Sequence, residues 1–400
     1  MIYVHVPFCR SFCTYCGFYS EICSRRETQQ VQNRFFGDYA DAVCAEIEAR
    51  RAEIAAARSG SAGHPGISLP DTLYFGGGTP SVLPTDVLKR IVEALGPSDY
   101  EEFTIEVNPD DIVSGGVSYA AALRGLGVNR ISMGVQSFDD GILRWMNRRH
   151  DAAQAREAFR LLRVAGFGNI SIDLIFGLSQ LSDGLWQETL AEALALRPEH
   201  ISAYQLSIED DSALEEMVRS GRYAEASDEQ CRRQYDTLCR MLPEAGYHHY
   251  EISNWALPGR EAVHNSAYWR RVPYVGLGPG AHSFSLSVSG SRFFPSSCSG
   301  IRSWNSQELA RRDASGKLLL WHSGSEALSE REAAEETIML ALRTSRGLPL
   351  SLLRRFSPSA PVDSLLADGS LQLIPSTDPW IRIPEDHFFI SDAIISRLLP

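Results

Sequence analysis

The spacing of apolar and polar positions changes several times along this chain, and each change marks an element. Ile2, Tyr3, Val4, His5 and Val6 open it as an apolar strand. Residues 33–58 carry Phe36, Tyr39, Val43 and Ile47 at helical spacing. A short strand at 72–75 runs into Gly76, Gly77, Gly78, Thr79 and Pro80. Residues 85–95 are amphipathic, with Thr85 as N-cap. Then follow a strand at 103–107 closed by Asn108 and Pro109, a helix near 118–126, and a strand at 130–136. Helical segments reach 165, followed by a strand at 169–175, a helix at 184–196 and a strand at 200–206.

Strand and helix thus alternate at least six times, which predicts βαβ units and a parallel sheet. Polar residues decide between a doubly wound sheet and a barrel. Cys9 to Cys16 follow the first strand and the glycines the second. Glu106 and Asn108 end the third, Gln136 ends the fourth, Asp173 lies in the fifth, and Tyr204 and Gln205 end the sixth. Functional groups spread over many strand ends suit the mouth of a barrel, whereas a doubly wound sheet gathers them at one switch point. The expected fold class is α/β, a partial (β/α) TIM-like barrel. Beyond residue 228 the rhythm breaks. A helix at 228–245 and a strand at 247–252 precede an aromatic, glycine-rich region over 254–305 with little helical periodicity. An amphipathic helix at 330–344 opens a small α+β C-terminal domain. The expected units are 1–252, the barrel; 253–328, a linking region; and 329–400, the C-terminal domain.

Composition sets limits. The chain has 400 residues, 44% hydrophobic and 22% charged, with a formal charge of −12. The acidic balance argues against broad nucleic-acid binding. No apolar run approaches the roughly 20 residues of a membrane span, and no leader pattern precedes the first strand. No membrane anchor is therefore expected, and any attachment to a membrane surface would come through a partner. Residues 59–66 read as a surface loop. Cys23, Cys44, Cys231, Cys239 and Cys298 are scattered without ligand spacing, and eight cysteines so placed suit a reducing cytoplasm.

Cys9, Cys13 and Cys16 are different, because C-x3-C-x2-C is a ligand spacing. With His5 they could hold structural zinc. Iron–sulfur cubanes are usually held by four thiolates, so three would leave one iron open to a small molecule. The glycines at 76–78 allow close backbone approach to a ligand, or a tight turn. Glu106, Gln136 and Asp173 suit hydroxyl groups and Arg148 a carboxylate, although Asp173 also reads as a strand-end acid and Arg148 as a surface charge. His264, in His264-Asn265-Ser266-Ala267-Tyr268-Trp269, is a haem-ligand type of residue or a satisfied structural histidine. Arg270 and Arg271 beside it would suit porphyrin propionates.

The cysteine spacing resembles that of the radical S-adenosylmethionine (SAM) superfamily. There the open iron binds SAM, and electron transfer splits it to a 5′-deoxyadenosyl radical. Tyr3 to Cys9, Gly76 to Pro80, Gly134 to Ser137, Ile172 to Ile175 and Gly276 to Ser283 together resemble the oxygen-independent coproporphyrinogen III dehydrogenase family over nearly the whole chain. The dehydrogenases have a further cysteine two positions after the third ligand and a longer N-terminal segment. This chain has Phe18 there and starts almost at the motif. The HemW-type haem-chaperone branch has phenylalanine and the H-N-x-x-Y-W motif, which 264–269 match residue for residue. The resemblance implies a radical SAM partial barrel with a small C-terminal domain and a 4Fe–4S cluster on Cys9, Cys13 and Cys16. It implies SAM bound by Tyr3, Gly77, Gly78, Thr79, Glu106, Gln136, Arg148 and Asp173, with Gln205 a looser match. It further implies haem ligated by His264 and delivered to haem-requiring respiratory proteins, without dehydrogenase activity. The alternative is the dehydrogenase itself, decarboxylating coproporphyrinogen III oxidatively to protoporphyrinogen IX.

Overall fold

A computed structural model of the chain describes residues 1–23, 29–58, 69–286, 300–321 and 323–399. The loop expected at 59–66 and Cys298 lie outside the described residues. The main sheet is built from β1 (Ile2–Val6), β2 (Thr72–Gly77), β3 (Glu102–Val107), β4 (Arg130–Gln136), β5 (Ile170–Phe176), β6 (His200–Gln205), β7 (His248–Glu251), β8 (Asn254–Ala256) and β9 (Val275–Leu277). Its order is β9-β1-β2-β3-β4-β5-β6-β8-β7. From β9 to β6 all neighbours are parallel, and β8 and β7 finish the edge antiparallel. Strands one to six follow chain order without reversal, so there is no switch point, and the end strands β9 and β7 do not pair. This is the partial barrel expected from the strand-end chemistry.

Alternation along each strand explains why the sheet curls around a polar interior. Phe103, Ile105, Val107, Ile131, Met133, Val135, Ile170, Ile172 and Leu174 join one apolar core with the surrounding helices. Their alternates Thr104, Glu106, Ser132, Gly134, Ser171 and Asp173 line an internal cavity. A period of two sends these two sets to opposite faces.

Several boundaries differ from the sequence reading. The helix expected at 33–58 is two, Gln29–Ala49 and Arg51–Arg58. At the break the Arg50 guanidinium turns aside to the Gly276 carbonyl at 2.7 Å. Thr85 is the first residue of helix Thr85–Leu95, and Pro84 occupies the cap position, so Thr85 is not the N-cap. The helix expected near 118 begins at Pro109 and runs to Gly125, interrupted at Gly116 with φ +63°. Gly115 and Gly116 hid its first half by breaking the apolar period. The sheet continues past residue 252, since β8 and β9 come from the aromatic region, which also holds a short helix, Val263–Trp269.

Beyond the main sheet, β10 (His282–Leu286), β11 (Gly300–Asn305) and β12 (Ser323–Ala327) form an antiparallel sheet. Helix Glu330–Leu342 follows, started by a capping box between Ser329 and Glu332. Among the described residues three short helices (Leu350–Phe356, Ser359–Ala367 and Ser391–Ser396), a 3-10 turn at Glu385–Ile390 and a three-stranded sheet complete the chain.

Helix Val263–Trp269 is anchored from beneath. The Glu102 carboxylate accepts the amides of Val263 at 2.8 Å and His264 at 3.0 Å, and lies 3.9 Å from the buried Arg130 guanidinium. Glu102→Ala leaves the buried Arg130 without this carboxylate partner and two amides without their acceptor. It is expected to cost about 3–5 kcal/mol, read as a lowered urea midpoint. A midpoint unchanged from the parent would show that this anchor carries no stability.

Candidate functional site

The strand ends of the barrel open into a cavity of about 530 Å³, within the ordinary range for a ligand site. Cys9, Cys13, Cys16, Gly77, Gly78, Thr79, Glu106, Gln136, Arg148 and Asp173 all line it, as does Gln205. Two expected residues do not. Tyr3 stands one layer back, its hydroxyl 3.1 Å from His5 Nδ1, in an adjoining cavity. His264 is treated below.

The cysteine loop is pinned from several sides. Short strands Phe8–Cys9 and Glu21–Ile22 pair and close its base. The Thr14 amide donates to Met146 O at 3.1 Å, its hydroxyl to Trp145 O at 2.8 Å, and Asn147 Nδ2 to Phe12 O at 2.6 Å. From the same segment Arg148 Nη1 donates to Cys13 Sγ at 3.3 Å, while Nη2 donates to Asn108 Oδ1 and Gly134 O. One guanidinium thereby ties the loop to the ends of β3 and β4.

The glycines are required by packing. A side chain on Gly77, at φ +106°, would lie 2.6 Å from the His5 ring, and one on Gly78 would lie 2.9 Å from Phe8 O. The Gly78 and Thr79 amides donate to Val6 O and Phe8 O, both at 2.8 Å, which binds this turn to the cysteine loop. Gln136 sits in the left-handed region at φ 68°, beside a register shift between β4 and β5. Such backbone is costly for a non-glycine residue and re-aims a side chain at a strand end.

The donor set suits a cluster and a polar ligand. All three cysteines are free thiols. Burial raises the Cys9 thiol, and pushes Cys16 up to about 11, so both stay protonated until a cationic centre faces them. Among the described residues no three histidine, cysteine or acidic side chains already converge on a point where a metal ion would sit. Thr104 Oγ1 and Arg148 Nε are buried behind the lining without a hydrogen-bond partner. Glu106 accepts from Tyr74 OH at 2.8 Å and from the Gly77 amide at 3.2 Å.

Residues 3–193 match the family model of the radical SAM superfamily. A protein named heme chaperone HemW, from a Synechocystis species, is 34% identical over 86% of this chain and 78% of its own length. The chain belongs to the HemW-type radical SAM family. The radical S-adenosyl methionine domain-containing protein 1 of Danio rerio, described as mitochondrial, is 30% identical over all of this chain and 86% of its own. The solved structure of Escherichia coli coproporphyrinogen III oxidase HemN, described as a radical SAM enzyme, covers all of this chain and 89% of its own. Its TM-score is 0.73 at 21% identity, a likeness of fold. Membership of the radical SAM superfamily implies a 4Fe–4S cluster and SAM in this HemW-type protein. No helix of the described residues is long and apolar enough to cross a membrane.

One expected role does not fit the HemW-type chain as folded. His264 is fully buried, with Nδ1 2.7 Å from Thr72 Oγ1 and Nε2 2.9 Å from Tyr268 OH. Burial lowers its pKa to about 3, so the ring is neutral. Both nitrogens are engaged and no face is open, so His264 is not presented as an iron ligand. Arg271 is likewise turned inward, paired with Glu336 at 2.8 Å and lying over the Phe284 ring. The neighbour Asn265, which sequence reasoning passed over, faces the main cavity, as do Tyr74, Ser132 and Tyr204. The signal available for the strand residues was the alternation of small polar with apolar positions.

Burial pushes the Glu106 carboxyl up to about 7, with Tyr74 and Gly77 opposing and the Asp173 charge adding. A carboxyl raised in the folded protein contributes its full stability below its unfolded value of 4.5 and loses it as pH climbs through about 7. Buried Glu251 behaves alike, also near 7. Stability of the ligand-free chain is therefore expected to fall between about pH 5 and 7. Glu106→Gln should flatten part of that slope in urea melts taken across the range. An identical slope in the variant would contradict the placement of Glu106.

Proposed function

We propose that this chain binds haem and hands it to haem-requiring respiratory proteins, with a 4Fe–4S cluster and SAM as its resident cofactors. Cys9, Cys13 and Cys16 would hold the cluster. Gly77, Gly78, Thr79, Glu106, Gln136, Arg148 and Asp173 would meet SAM, with Tyr3 supporting the glycine turn from behind. The cluster, when bound, supplies one-electron chemistry to SAM. The chain's own contribution is to fix the thiol loop through Arg148 and to surround the ligand with the polar ends of β2 to β6. The same reading keeps three units, 1–252, 253–328 and 329–400, the middle one lending β8 and β9 to the barrel.

Phe18 is the observation that carries this reading over coproporphyrinogen dehydrogenation. It stands where the dehydrogenase branch has a further cysteine, and the residue is 72% exposed on the cavity wall. An exposed phenylalanine beside the cluster loop offers apolar contact, not a reducing or ligating sulfur.

The test is transfer. Cluster-reconstituted protein loaded with haem under anaerobic conditions is mixed with the haem-free form of a respiratory haem protein, and absorbance follows the haem. The expected result is saturable loading and passage to the acceptor, with no protoporphyrinogen IX formed from coproporphyrinogen III in a parallel assay. Absence of loading, or efficient conversion of the porphyrinogen, would overturn the reading.

A further inference from the structure

If His264 is closed to iron, another ligand has to be sought among the side chains that can reach one. His5 is held between Tyr3 OH and Tyr19 O, and His200 between Ser171 Oγ and Tyr250 OH. His150 is buried with Nε2 3.0 Å from Val135 O. His248 meets Glu261 at 2.6 Å, and His249 is buried and stacked on Trp255 at 4.0 Å. His387 contacts Asp386 at 3.0 Å. His282 alone among the described histidines has an exposed ring with no hydrogen bond or ion pair to described residues.

Its position adds a second observation. His282 opens β10 and lines a cavity of about 320 Å³ with Tyr3, Phe18, Tyr19, Tyr268 and Tyr274. Aromatic side chains of this kind suit a flat macrocycle. Gly17 and Phe18 line both this cavity and the cluster cavity, so the two share a wall directly after Cys16. The volume is at the low end for a ligand site, which covers part of a porphyrin and leaves the rest open, as a carrier that releases its cargo requires. The Tyr19 hydroxyl donates to Glu21 Oε1 at 3.3 Å, which sets a carboxylate beside the cavity, so an iron ligand and not propionate pairing would define the site.

We propose that His282 supplies the iron ligand of haem in this aromatic cavity, with Phe18 and Tyr274 as walls. The proposal rests on the haem reading above. His264 then acts through Tyr268, whose hydroxyl it contacts at 2.9 Å and which lines the cavity. It is a positioning residue and not a ligand.

The test is an anaerobic haem titration of cluster-reconstituted protein, parent beside His282→Ala, His282→Cys and His264→Gln. Visible absorbance and electron paramagnetic resonance report the iron's ligands. The cluster is loaded first so that Cys9, Cys13 and Cys16 do not capture haem themselves. His282→Ala is expected to weaken binding about tenfold or more. His282→Cys should restore it with a thiolate-type spectrum, while His264→Gln keeps the parent ligand signature. Parent-like affinity and spectrum in His282→Ala would overturn the assignment, as would a ligand signature that changes only with His264. A parent protein that binds no haem at all removes the haem reading itself, a separate outcome.

Discussion

The constraint on which this structure depends is the opposition of two faces on one parallel sheet. Outward residues such as Ile105, Met133 and Ile172 are buried under helices, and inward residues such as Thr104, Ser171 and Ser202 are buried around a cavity. Burying hydroxyls and carboxyls against one another is costly unless each finds a partner. Ser132 meets Asp173, Tyr74 meets Glu106, and Ser171 meets His200. The polar lining is thus largely self-satisfied.

Arg148 turns that lining into a site. Its guanidinium reaches the Cys13 thiol, the Asn108 side chain and the Gly134 carbonyl at once. A delocalised cation with several donors in a fixed fork can hold three elements where a lysine would hold one. The cysteine loop, the end of β3 and the end of β4 are therefore held in a common register. The Gly76–Gly78 turn closes the other side by hydrogen bonding to the residues just before Cys9.

Much of this was legible in the sequence where the signal was local. The three cysteines, the glycine triplet and the strand-end residues Glu106, Gln136 and Asp173 sit within short motifs, and their positions on the barrel follow from counting βα units. What was not legible depended on contacts between distant residues. His264 has the chemistry of a ligand, and only its meeting with Thr72, 192 residues away, shows that its nitrogens are taken. Tyr3 is adjacent to the motif in sequence but lies behind the wall. The first half of helix Pro109–Gly125 carries paired acids in place of an apolar stripe, with Asp110 and Asp111 meeting Arg149, so periodicity could not find it. The alternation of small polar and apolar residues along β3 to β6 was present in the sequence, and it marks the inward face once the sheet is known to curl.

The central claim is that one loop of three thiols, set against Arg148 and the inward polar face, forms a cluster site beside a SAM pocket. Iron and sulfide analysis with electron paramagnetic resonance on anaerobically reconstituted, reduced protein tests it most directly. The account predicts a cubane of about four irons per chain, a signal that shifts when SAM is added, and loss of that cluster in Cys13→Ala. Bound zinc in place of iron, or a cluster signal indifferent to both SAM and Cys13, would contradict it.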